Sequence, residues 1–207
     1  MQDDFEAERT ERHDISVLIC GNAPLESEAN ASIRGSIRDG WVDCLSAAQV
    51  FSSSLDGAVA AIETMRPDLV LCIGSYLPET AYFGEVTRAA REAGAATVFW
   101  ATEDPYEKDA SYRIEMQFDA IFTCDKWTQR FYDRPRVFHL PLAGCPHRHH
   151  VPIQQAIDRP VDVLFCGVAF ANRQEIMAQL LPALSGLRLC VTGLGRVRHR
   201  LFCPAHR

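Results

Sequence analysis

An α/β fold, with one parallel sheet covered by helices on both faces, is what this sequence predicts. Three observations carry the prediction: short runs of almost purely apolar residues, stretches of helical period between them, and Gly, Asn or Pro where the runs end. Strands apolar on both sides are buried on both faces, and a helix layer on each side of a parallel sheet provides that burial.

The first run is Ile15-Ser-Val-Leu-Ile-Cys20, closed by Gly21-Asn22 as a strand and its exit turn. Residues 28–38 read as a short helix of weak pattern, and Trp41 to Leu45 as a second strand. Ser52-Ser-Ser54 offers an N-cap, with Asp56 in the first turn where an anion suits the helix dipole. Leu55, Val59, Ile62 and Met65 then follow at helical spacing until Pro67 stops the helix. Asp68 to Gly74 is the next buried strand, residues 82–93 a helix ended by Gly94, and Ala96 to Trp100 another strand. Phe118 to Cys124 is strand-like; Asp125 suits the cap of a helix carrying Trp127 and Phe131, and Arg136 to Leu140 makes a last strand before Pro141.

This alternation makes residues 15–143 one Rossmann-like domain behind a polar arm at 1–14. Residues 144–160, rich in Pro, His and polar side chains, read as a linker. The pattern restarts with Val161 to Gly167, a helix near 172–181 and Leu187 to Thr192, so 161–195 reads as the start of a second α/β unit. The last twelve residues, 196–207, are basic and follow neither period.

A net charge of -6 and a pI near 5.6 argue against general nucleic-acid binding. The acidic opening MQDDFEAERTERHD lacks the apolar core of a secretory signal, and no run approaches the ~18 apolar residues of a membrane helix. A cytoplasmic protein without a membrane span is expected. Of the eight cysteines, Cys20, Cys72, Cys124, Cys166 and Cys190 sit in or at the end of apolar runs, and none forms a CxxC pair. They read as reduced thiols of the core.

In an open α/β sheet, ligands bind beyond the carboxyl ends of the strands. That rule selects Gly21-Asn22, Gly74-Ser75-Tyr76, Thr102 to Tyr106, Asp125 and the segment after Pro141. Thr102-Glu103-Asp104-Pro105-Tyr106 carries most of the chemistry. Neighbouring residues in a loop point in different directions, so one carboxylate is expected to be catalytic or sugar-binding and the other structural. A cap and turn, with Asp104-Pro105 starting a helix, is an equal reading. Asp125 reads first as a helix cap, and Trp100 and Tyr106 as packing residues with an aromatic face suited to a sugar. Cys145-Pro-His-Arg-His-His150 lacks a second ligand cluster, so a solvated linker is expected rather than a metal site, with His147 lining a cleft as the functional alternative. Ser75 lacks the frame of a hydrolase nucleophile. A receiver-type reading needs an acidic cluster after the first strand, where this chain has Cys20-Gly21-Asn22, and it is set aside.

Several of these segments, taken in order, resemble one family. Trp100-Ala-Thr-Glu-Asp-Pro-Tyr106, Phe118-Asp-Ala-Ile-Phe-Thr-Cys-Asp125, Tyr132, His139-Leu-Pro-Leu-Ala143 and Asp162-Val-Leu-Phe-Cys-Gly167 with Asn172-Arg173 are similar to CgeB-type spore-maturation glycosyltransferases. The resemblance spans roughly residues 67–195. It implies a GT-B arrangement of two Rossmann-like domains, the first holding the acceptor and the second a nucleotide diphosphate sugar as donor, with no bound metal or other cofactor. It places Glu103 and Asp104 at the acceptor side as catalytic candidates. Gly21, Asn22, Ser75, Tyr76, Trp100, Tyr106, Asp125 and His147 become substrate-binding candidates. Gly167 and Arg173 fall near the donor phosphates.

Members of that family continue for a hundred residues or more, which leads to the expectation of a truncation or frameshift near residue 195. The implied function is transfer of a sugar to an unknown acceptor, with a homo-oligomer or a separate donor-domain polypeptide as the expected partner. The alternative is a non-catalytic module that binds a sugar or glycan or associates with another protein.

Overall fold

The structure, a computed structural model, describes residues 14–21, 28–75, 80–142, 144–149, 161–168 and 170–192. The chain divides into two compact units, Met1–His150 and Val151–Arg207.

The first unit is an α/β fold built on a six-stranded, all-parallel sheet in the order β2-β1-β3-β4-β5-β6. Its strands are β1 (Val17–Gly21), β2 (Val50–Ser54), β3 (Leu69–Gly74), β4 (Ala96–Ala101), β5 (Ala120–Thr123) and β6 (Val137–His139). Its helices are α1 (Glu28–Cys44), α2 (Ala58–Met65), α3 (Thr80–Ala93) and the short α4 (Pro146–His149). Val17 to Cys20 and Val70 to Cys72 are buried, as central parallel strands require.

One face carries Leu18, Val70, Phe99 and Ile121 under Ile62 of α2 and Phe83 and Val86 of α3. Phe99 lies edge-on to Phe83 (5.6 Å) and to Phe118 (5.3 Å), a preferred aromatic geometry. The other face carries Ile19, Leu71, Ile73 and Trp100 under Ile33, Ile37 and Trp41 of α1. Cys20 and Cys72 are register partners on β1 and β3, both buried. The hydrogen bond with the neighbouring Cys20 thiol, and then burial, raise the Cys72 thiol well above its ordinary value. Cys166, by contrast, is exposed and is not a core thiol.

Two elements differ from expectation. Trp41 to Leu45 is not a strand: Trp41 to Cys44 closes α1, because Ile33, Ile37 and Trp41 repeat every four residues and turn one stripe to the core. The second strand is Val50–Ser54, so the serines read as a cap lie in an edge strand, where partial exposure tolerates hydroxyls. Ser54 still accepts a hydrogen bond from the Gly57 N–H (3.3 Å) ahead of α2.

The start of the expected linker is also structured. Arg148 Nε of α4 meets Asp39 of α1 at 2.7 Å, and His147 Nε2 meets Asp43 at 2.9 Å. Gly35 makes room for this docking, because a Cβ there would stand 2.6 Å from Arg148 Nη2.

At the amino ends of the strands an aspartate ties neighbours together. Asp68 accepts from the Ser16 N–H (2.7 Å) and hydroxyl (2.8 Å); Asp119 does the same with Thr97 at 2.7 and 2.8 Å. The second unit repeats the device. Its parallel pair β7 (Val163–Cys166) and β8 (Leu189–Thr192), joined through α5 (Ala171–Leu180), is clasped by Asp162, which accepts from the Arg188 N–H (2.7 Å) and Nη2 (2.8 Å). No helix among the described residues is long and apolar enough to cross a membrane.

Replacing Phe99 by Ala is expected to lower unfolding stability by about 3–5 kcal/mol, read from urea denaturation, because it empties the middle of the aromatic trio. The hydrogen bonds and charge of Arg188 hold the Asp162 carboxyl at about 2, below its ordinary 3.8. A lowered carboxylate value contributes stability that is complete above the ordinary value and lost as pH falls through the lowered one. A carboxyl-carbon NMR titration of Asp162 should therefore show its midpoint near 2.

Candidate functional site

The carboxyl ends of β3, β4 and β5 bring the expected loops together around one buried carboxylate. Asp104, just past β4, is 4% exposed, and its Oδ2 accepts from the Thr123 hydroxyl of β5 (2.5 Å) and from the Tyr132 phenol (2.8 Å). Cys124 adds a further tie, its thiol lying 3.5 Å from the Thr102 carbonyl and 3.4 Å from the Asp104 carbonyl. Burial, followed by the charges of Asp104 and Asp125, raises that thiol above its ordinary value. Asp104 is therefore an internal acceptor: it is buried, and its Oδ2 is turned inward onto two hydroxyls, the structural part that the sequence expected of one member of the pair. The Asp104–Pro105 peptide is cis.

Glu103 goes the other way. It is half-buried, and burial, then the Glu107 carboxylate, raises it above its ordinary 4.5. Glu107 receives the Ser75 hydroxyl of the β3 exit loop at 2.6 Å. The loop after β4 turns through a 3-10 helix at Lys108–Arg113 rather than an α-helix. That turn is anchored by Lys108 on Glu115 (3.1 Å), by a short hydrogen bond from Ser111 to Glu115, and by Lys108 standing 4.2 Å over the Tyr132 ring. Ser75, Glu103 and Glu107 thus form a polar, acidic group at the carboxyl ends of β3 and β4.

Other candidates fall elsewhere. Trp100 is buried and its indole N–H donates to the Leu140 carbonyl (3.0 Å), so it is a packing residue and not a sugar platform. Tyr106 is 87% exposed, which overturns its reading as a packing residue. Asp125 is a cap: it accepts from the Thr128 hydroxyl (2.6 Å) and N–H (2.8 Å), and those bonds lower it below its ordinary value. The helix it caps is a 3-10 turn, Thr128–Phe131. His147 is engaged on Asp43 of α1 in an exposed pair. Gly21 ends β1, while Asn22 and Tyr76 lie outside the described residues.

In the second unit Gly167 and Arg173 are brought together. A Cβ at Gly167 would stand 3.1 Å from Arg173 Nη1, which donates to the Val168 carbonyl at 3.2 Å. Among the described residues no group of three His, Cys, Asp or Glu side chains converges as a metal site.

Glu107 was missed from sequence, although Glu103 and Glu107 stand four residues apart after a strand, a spacing that one turn brings together. The roles of Thr123 and Tyr132 as donors to Asp104 had no local signal, because they lie 19 and 28 residues downstream.

No family model matches the chain, and no curated protein matches it. Among solved structures it is similar to the signal receiver domain of NarL from Mycobacterium tuberculosis. The identity is 17%, the overlap covers 54% of this chain and 84% of that one, and the TM-score is 0.36. That likeness carries no argument about function.

Tyr132→Phe removes a hydroxyl donor to a buried carboxylate. It is expected to cost about 1–3 kcal/mol of stability in chemical denaturation. Circular dichroism should show the secondary structure retained.

Proposed function

We propose that the first unit is the acceptor-side domain of a glycosyltransferase-like protein, with Glu103 as the general base. Glu103 carries this reading: it is a half-buried carboxylate at the carboxyl end of a central strand, with its proton affinity raised by burial and by Glu107. A base of raised affinity accepts a proton from an acceptor hydroxyl more readily than an ordinary carboxylate does. Ser75 holds Glu107 in place, and Asp104 fixes the loop on which Glu103 stands.

The chemistry is attack of that hydroxyl oxygen on the anomeric carbon of a nucleotide diphosphate sugar. The bond to the diphosphate breaks, the diphosphate leaves as the anion, and the hydroxyl proton passes to Glu103. In this reading Gly167 and Arg173 stand on the donor side, where an arginine stabilises the leaving charge. The donor sugar and the acceptor belong to the proposal only as classes. A cytoplasmic setting, where nucleotide sugars are made, goes with it.

Release of the nucleoside diphosphate, measured with a panel of sugar donors and hydroxyl acceptors, tests the reading. Glu103→Gln should lower the rate about 10²- to 10⁴-fold while leaving the melting temperature near that of the parent. The parent rate should climb as pH rises through a midpoint above 4.5, because the base works only after losing its proton. Equal rates for the variant and the parent would remove Glu103 from the reaction.

A second reading, a protein-association module, is favoured by the second unit, where Leu164, Phe170, Ile176 and Leu187 are about half exposed or more. Sedimentation across a concentration series separates the two, since a monomer at all concentrations speaks against self-association.

A further inference from the structure

Gly21 is the last residue of β1, and it lies where the sheet changes direction of growth. β2 is laid down on one side of β1, whereas β3 and every later strand are added on the other. In its register Gly21 stands between Ser54 of β2 and Ile73 of β3. Such a switch point opens a crevice at the carboxyl ends of the strands, the usual place for a ligand in an open parallel sheet.

Arg34 of α1 reaches into this position. Its side chain lies across the Gly21 backbone so closely that a Cβ at 21 would stand 3.0 Å from Arg34 Cζ and would overlap Cδ and Nη1. Arg34 is half-buried, its Nη1 is sealed from solvent, and among the described residues Nη1 has no hydrogen-bond partner. A charged donor removed from water without a partner is costly, and arginines in protein interiors are normally saturated by carboxylates or phosphates. The second unit offers the contrast. There Arg173 also lies against a glycine, Gly167, after the first strand of its unit, but its Nη1 is satisfied by the Val168 carbonyl.

We infer that Gly21 and Arg34 form an oxyanion site at the β1/β3 switch point, in which the glycine clears space for the guanidinium and the ligand completes its hydrogen bonds. The ligand chemistry is a phosphate or carboxylate group, bound through charge-assisted N–H···O bonds to the guanidinium edge. The inference rests on Gly21 and Arg34 alone and does not depend on the proposed transfer reaction.

Amide and arginine Nε NMR signals of the full chain, followed while inorganic phosphate or acetate is added at constant ionic strength, test the inference. Saturable shifts at the Gly21 amide and Arg34 Nε are expected, with half-saturation at about 1 mM or below for the preferred ion. Phosphate alone acting identifies a phosphate site; acetate alone acting identifies a carboxylate site. Arg34→Met should weaken binding at least about tenfold, and Gly21→Ala should do the same by pushing the guanidinium aside. Should Arg34→Met fail to fold, Arg34→Lys keeps the charge but loses the fork, and the same weakening is expected. Signals unmoved by either ion up to about 50 mM, a range in which only far weaker association would go unseen, would overturn the site. Equal binding by parent and variants would do so as well.

Discussion

A carboxylate taken out of water has to be saturated with donors, and the carboxyl-terminal side of this sheet is arranged to meet that demand at Asp104. Thr123 reaches it from the end of β5 and Tyr132 from the turn beyond, so two separate segments are drawn onto the exit loop of β4. With Asp104 turned inward, its neighbour Glu103 is left half-buried, within the electrostatic reach of Glu107. Two adjacent acidic residues therefore acquire different surroundings: one is taken up by internal hydrogen bonds, and the other stands beside Glu107. The aromatic ring of Tyr132 extends the same arrangement, because Lys108 rests over it while pairing with Glu115.

Strands buried on both faces were legible in the sequence for a plain physical reason: nothing but apolar side chains suits a position with protein on every side. β1, β3, β4 and β5 all announced themselves in this way. Edge and surface elements did not. β2 carries Ser52, Ser53 and Ser54 because it borders the sheet on one side only, and those serines mimic a helix cap. α1 was obscured by Gly35 and Gly40, which depress helical propensity, and Gly35 is there to admit Arg148. At the site, adjacency in sequence singled out the pair Glu103 and Asp104 and the expectation that they would divide their roles. That Asp104 is the internal one depends on Thr123 and Tyr132, and contacts at such separation leave no local periodicity.

The two units share a local design. Each begins with a strand whose exit glycine is overlaid by an arginine from the helix that follows, Gly21 with Arg34 and Gly167 with Arg173. Each also fastens neighbouring strands with an aspartate at the opposite end, Asp68 on Ser16 and Asp162 on Arg188. The aspartates set the register of the parallel pairs, which have no tight turn to do so. The amino ends of the strands are thus fastened by aspartates, while the carboxyl ends carry the loops with the acidic group and the arginines.

The strand order has a consequence for how the first unit is assembled. Once β1, β2 and β3 have paired, β4, β5 and β6 each join the outer edge left by their immediate predecessor, in the sequence in which the ribosome delivers them. No later strand has to be inserted between two that already exist. The sheet can therefore lengthen by accretion while translation proceeds, each new strand screening the apolar border exposed by the one before, and the nascent chain is spared a long interval with an open hydrophobic seam.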